Sequence, residues 1–149
     1  MPLVDQINEQ LKTAMRAKDK ERLTALRGIR AAFINAMKED GSDTLADDKA
    51  IENLRRLAKQ RVDSMTEYGK AGREDLVAIE RGELAVIEEF LPKLADEATT
   101  RAWVQAAIAA TGAAAMSDMG KVMARLMAEH KAELDGKLAN RLVRELIAG

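Results

Sequence analysis

Apolar residues recur every three or four positions along almost the whole chain, and no alternating β-branched run competes with that pattern. Residues at this spacing share one face of a helix, so the chain is constrained to an all-α fold. Leu3, Ile7, Leu11, Ala14 and Met15 form the first such face, and Asp19 breaks or caps the chain after it. Leu23, Leu26, Ile29, Phe33 and Met37 form the second, closed by the turn Asp40-Gly41-Ser42-Asp43. Thr44-x-x-Asp47 has the form of a capping box and predicts the start of a long third helix with Ile51, Leu54, Ala58, Val62 and Met65 inward. Glycines at 69 and 72 end it, and a fourth helix over residues 73–90 presents Leu76, Ile79, Leu84, Ile87 and Leu91.

Leu91-Pro92 is the clearest boundary, because proline removes a backbone donor and disfavours helix in the residue before it. Asp96 is then a good N-cap for a fifth helix bearing Trp103, Val104, Ala107 and Ile108, which Thr111-Gly112 terminates. Ser117 is expected to cap the sixth helix and Asp135 the seventh. The expected organisation is an N-terminal helical domain, residues 1–92, built as a bundle of about four helices, followed by a small three-helix domain, residues 93–149. A unit of the latter size is near the lower limit for an independent core.

Within that last segment a short pattern occurs twice. Gly120-Lys121-Val122-Met123-Ala124-Arg125-Leu126-Met127 returns sixteen residues later as Gly136-Lys137-Leu138-Ala139-Asn140-Arg141-Leu142-Val143. Both copies read Gly-Lys-apolar-x-x-Arg-Leu-apolar. Free N–H groups and the helix dipole favour negative charge at a helix start, and a lysine there adds a mobile cation. Two such starts are candidate sites for two phosphates of one nucleic-acid backbone, with Gly120, Lys121, Arg125, Gly136, Lys137 and Arg141 as the contact residues. The competing reading is that the two helices begin alike because they pack alike. Val122, Leu126, Leu138 and Leu142 are the core positions under either reading.

The chemistry of most enzymes is missing. Cysteine is absent and His130 is the only imidazole, so disulfides, thiol nucleophiles and multi-histidine metal sites are excluded. No P-loop, dinucleotide fingerprint, nucleophile elbow or His-Glu-x-x-His occurs. Neighbouring acids such as Asp47-Asp48 and Glu88-Glu89 diverge on a helix and cannot act as a catalytic dyad. No catalytic residues, metal or cofactor are therefore expected. With aromatics at 3% of the chain, a base-stacking platform is disfavoured as well. His130 is expected to face solvent or interact with a helix dipole, and Met116, Met119, Met123 and Met127 to fill core gaps.

The net charge of −1 does not announce a nucleic-acid binder, but the local balance is uneven. Lys12, Arg16, Lys18, Lys20, Arg22, Arg27 and Arg30 gather in one stretch, and Arg55, Arg56, Lys59 and Arg61 in another. Such faces are ordinarily solvated surface laced with i,i+4 pairs. No apolar run reaches the length of a membrane span and the N-terminus lacks a signal-peptide core, so a cytoplasmic location without membrane association is expected.

Three stretches in order resemble the GatB/YqeY family over nearly the whole chain: residues 11–22, residues 71–76 leading to Glu88-Glu89-Phe90-Leu91-Pro92-Lys93, and the doubled pattern from Met119 through Lys137. That family is similar to the C-terminal tail of the B subunit of the glutamine-dependent tRNA amidotransferase, which reaches the tRNA body while ATP-dependent chemistry sits in a separate cradle domain. The chain has no counterpart of the cradle, its zinc-binding cysteines or an ATP motif. The resemblance thus implies a tRNA-binding accessory module, with carbon–nitrogen ligase activity using glutamine as amide donor belonging to the family association. Amidotransferase subunits are implied as possible partners. The alternative is a protein-interaction module that docks such a subunit or self-associates.

Overall fold

The computed structural model describes residues 1–148, whose regular structure is all helical, with no strand among them. The chain divides into two compact units, Met1–Leu91 and Pro92–Gly149.

The first unit contains α1 (Leu3–Ala17), α2 (Lys20–Glu39), α3 (Asp47–Lys70) and α4 (Glu74–Glu88). Lys18 takes the left-handed conformation, φ +57°, and turns the chain between α1 and α2. Asp19 caps α2 by accepting from the Arg22 N–H at 3.1 Å. Gly41 and Gly72, at φ +64° and +70°, make the turns after α2 and α3, where a side chain would be strained. Ile7, Leu26, Ile29, Phe33 and Leu54 are almost fully buried and form the centre of the core, joined by Leu3, Leu45, Val86 and Ile87.

Four expectations for this unit are corrected, the first being Met15, which stands 58% exposed and not on the inner face of α1. Thr44 does not open a capping box: α3 begins at Asp47, the Thr44 N–H is taken by Ser42 Oγ at 3.1 Å, and the Asp47 carboxylate turns to the start of α1. Val62 is half-exposed, because a strict four-residue step drifts about 40° round the helix each time and carries the Leu54-Ala58-Val62 row off the core. Asn53 and Ala50 are buried on the true inner face instead. Ile79 is 58% exposed although Val86, seven residues on and almost directly below it, is 9% exposed.

The second unit contains α5 (Glu97–Thr111), a 3₁₀ turn (Met116–Asp118), α6 (Met119–His130) and α7 (Gly136–Ala148). Asp96 caps α5 through the Thr99 N–H at 2.8 Å, and Gly112 at φ +68° ends it. Ser117 does not cap α6. It lies in the 3₁₀ turn, whose Asp118 carboxylate reaches back to the N–H groups of Ala114 and Ala115 at 3.1 and 3.2 Å. The core joins Val104 and Ala107 of α5, Val122 and Leu126 of α6, Leu134, and Ala139, Leu142 and Val143 of α7.

Candidate nucleic-acid interface

Both copies of the repeated pattern sit on helix starts, and their apolar positions converge on one core. Val122, Leu126 and Leu142 are at most 1% exposed, and Leu138 packs against the same cluster from its edge. The copies part at their last position, since Val143 is buried while Met127 is 42% exposed. Packing therefore accounts for the apolar letters of the repeat other than Met127. It does not account for the glycines. Neither Gly120 nor Gly136 has positive φ, and a Cβ built at either would meet nothing within 4 Å.

The polar letters are divided differently in the two copies. Lys121 is the third residue of α6 and its side chain is 74% exposed, with Asp118 the nearest carboxylate at 4.0 Å. No side chain caps α6, which continues directly from the 3₁₀ turn with the Met119 N–H donating to Met116 O, and the helix dipole still favours negative charge at this end. Asp118 itself is held below the usual carboxylate range by the N–H groups of Ala114 and Ala115, and Lys121 adds to this. At α7, Asp135 Oδ1 accepts from the Leu138 N–H at 3.2 Å and already brings a negative charge to the helix start. Lys137 is exposed and has no ion-pair partner among the described residues.

The two arginines are occupied. Arg125 Nε lies 3.0 Å from Glu129, and Arg141 Nη1 lies 3.1 Å from Glu145, an i,i+4 pair in each copy. Arg141 also binds Glu97 at the start of α5, a contact that raises its pKa further. The repeat thus extends to Glu129 and Glu145, a feature visible in the sequence as a glutamate nine residues after each glycine. Exposed pairs of this kind are weakly held and exchange readily with an incoming anion.

In the first unit the basic stretch divides in the same way. Arg22 donates to both carboxylate oxygens of Glu89, at 2.7 and 3.3 Å, and to Gln10 at 3.0 Å, so it is a structural residue. Arg61 bridges Glu80 and Glu83 at 3.2 and 2.8 Å, and Arg56 donates to Asn53. Arg16, Lys18, Lys20, Arg27 and Arg30 are exposed, with no partner among the described residues. Lys20 and Arg27, seven positions apart, project from α2 on the side opposite its buried Ile29.

One feature of the second unit escaped the sequence reading. Trp103 of α5 and His130 of α6 stack with centroids 3.8 Å apart and planes 4° from parallel, so His130 is part of the packing between helices and does not simply face solvent. Met116 is exposed together with Met127, whereas Met119 and Met123 pack on the core edge. No cluster able to hold a metal ion occurs among the described residues, and no described helix is long and apolar enough to cross a membrane.

The model of the Yqey-like protein family matches residues 4–147 of this helical chain. The chain belongs to the YqeY family. Among curated proteins the YqeY chain is similar to altered inheritance of mitochondria protein 41, named as mitochondrial, from three yeasts. Identity is 34% over 94 residues in Saccharomyces cerevisiae, covering 61% of this chain and 49% of that protein. It is 37% over 93 residues in Lachancea thermotolerans, with the same two coverages of 61% and 49%. In Kluyveromyces lactis it is 33% over 84 residues, covering 56% and 45%. The chain spans about half the length of the curated relatives it matches.

Proposed function

We propose that the chain is a non-catalytic module that binds the backbone of folded RNA, tRNA being the class its family resemblance suggests. Gly120-Lys121 and Gly136-Lys137 form the contact, and Arg125 and Arg141 join it when their exposed pairs open. One observation carries the reading: every apolar letter of the two repeats except Met127 packs in or against the core, while both lysines stand in solvent beside glycines that packing does not require. Phosphate contacts of this kind position an RNA by shape without reading its bases. In this reading residues 93–149 are a three-helix domain carrying the contact, and residues 1–92 are a helical domain that adds the exposed cations of α2. The relationship to carbon–nitrogen ligases would lie in recognition of the tRNA body and not in amide transfer. A cytoplasmic location goes with it.

Filter binding of tRNA across a salt series tests the proposal. Binding should be weak and steeply salt-dependent, and Lys121→Ala or Lys137→Ala should each reduce the logarithmic salt slope by about 1. Absence of affinity at low salt, or variants that bind like the parent, would overturn it. A second reading, docking of a protein such as an amidotransferase subunit, is favoured by the uncovered apolar stretch of α4 around Ile79. It predicts a complex that outlasts the salt concentrations that release RNA.

A further inference from the structure

The apolar stripe of α4 runs past its partner. Ile79 and Val86 are seven residues apart, about 20° from eclipsed on a helix, yet Val86 is covered and Ile79 is not. Beside Ile79 lies a groove of about 630 Å³, walled by the first turns of α2 at Glu21 and Thr24 and by Ala78, Gly82 and Glu83 of α4. A smaller hollow of about 300 Å³ shares the Thr24 and Glu83 walls and continues along α2 to Gly28. Gly28 and Gly82 sit inside helices, where glycine costs about 0.5–1 kcal/mol relative to alanine. Neither has positive φ, and an added Cβ at either would meet nothing within 4 Å. Nothing within the chain requires these two glycines, but both keep the walls of the groove low.

The groove is also acidic. Asp19, Glu21 and Glu83 line it, Glu89 pairs with the lining Arg22, and Glu80 pairs with Arg61 of the adjoining hollow. Against these five carboxylates stand Arg22, which holds Glu89, Arg61, which holds Glu80 and Glu83, and the exposed Lys20 between Asp19 and Glu21, leaving an excess of negative charge. An occupant must therefore bring apolar surface for Ile79 and positive charge for the rim. The α4 wall from Ala78 to Val86 is about 12 Å long at 1.5 Å per residue, the length of two to three helical turns.

We infer that this groove receives an amphipathic basic helix of a partner protein, its apolar side on Ile79 and between the two glycines, its lysines or arginines against Glu21 and Glu83. This is helix-in-groove recognition, with the glycines allowing close approach and the carboxylates setting charge preference and orientation. None of the residues lining the groove is assigned to RNA.

The test uses the full chain and a fluorescein-labelled synthetic helix of about fifteen residues, with leucines on one face and lysines on both flanks. Fluorescence anisotropy should show binding that weakens with added salt, and the same peptide with glutamates in place of the lysines should not bind. Ile79→Asp and Gly82→Leu should each raise Kd by about tenfold or more. Both positions are exposed, so the circular dichroism of both variants should match the parent. Ile79→Asp is decisive because it adds negative charge: an attraction that was merely electrostatic would grow stronger. Absence of binding at the lowest salt, equal binding of the glutamate peptide, or variants that bind like the parent would overturn the inference. A parent dimer that Ile79→Asp converts to monomer would assign the groove to a second copy and overturn it too. Binding of tRNA by Ile79→Asp should equal that of the parent, so the two readings fail separately.

Discussion

The main-chain N–H of Leu3, the first residue of α1, donates to Asp47 Oδ1 at 2.9 Å, so the first residue of α3 caps a helix that starts 44 positions earlier. One carboxylate thereby satisfies a donor that α1 cannot satisfy itself, because Pro2 offers no side-chain acceptor at its start. Asp47→Ala should cost about 1 kcal/mol, as the loss of other N-cap acceptors does. For a unit of this size that corresponds to a fall in melting temperature of about 4–8 °C. Asp47→Asn, which keeps an acceptor oxygen, should lose less. Thermal melts followed by circular dichroism distinguish the two, and equal losses would place the effect elsewhere than in the cap.

That bond also marks where sequence reading stops. Asp96, Asp135, Gly112 and Pro92 act on their own neighbours within four residues, so their roles in starting and stopping helices were legible. The Asp47 carboxylate looked like half of a local capping box because its acceptor role is local in most sequences. Its true partner is fixed by how α1 and α3 pack, which no local pattern encodes. The same holds for Trp103 and His130, and for Arg22, whose place in a basic stretch concealed its bond to Glu89. The arginines of the repeat are a different case. Glu129 and Glu145 stand at the i,i+4 distance, and the pattern Gly-Lys…Arg…Glu was readable as a pair that partly neutralises itself.

Those pairs make a prediction about RNA affinity. Glu129→Gln breaks the exposed pair with Arg125 and alters only a longer 3.8 Å contact with His130, so it should leave the fold intact while releasing Arg125. If the repeat is an RNA contact, tRNA binding at low salt should strengthen and the logarithmic salt slope should steepen by about 1. Releasing Arg141 requires Glu97→Gln together with Glu145→Gln, because the guanidinium is shared between them. Filter binding of the parent and both variants reads the effect directly. Unchanged slopes in both would remove the arginines from the contact.

The Trp103–His130 stack can be read without labels, because each is the only residue of its kind in the chain. A stacked imidazole quenches indole emission, so His130→Ala should brighten Trp103 fluorescence. Loss of the ring contact should also destabilise the second unit by about 0.5–1.5 kcal/mol beyond lost area. His130→Phe restores a stacking ring and should recover most of the stability. Emission and urea-unfolding curves of the three proteins test both halves; a His130→Ala protein as stable as the parent would show that the stack holds nothing together.

The second unit should be sensitive to acid through two helix-start aspartates. Asp96 is held below the ordinary carboxylate range by the Thr99 N–H, and Asp118 by the N–H groups of Ala114 and Ala115. A carboxyl whose folded value lies below its unfolded value stabilises fully above the unfolded value, near pH 4, and loses that contribution as pH falls through the folded one. The contribution of both charged carboxylates should thus be complete at neutral pH and be lost as the pH falls below about 4. Asparagine keeps an acceptor oxygen at these positions and has no charge to titrate. The Asp96→Asn/Asp118→Asn double variant should therefore show a shallower fall in melting temperature between about pH 5 and pH 2 than the parent. Melting curves measured across that window decide the matter, and parallel falls in the two proteins would assign the acid sensitivity to other carboxylates.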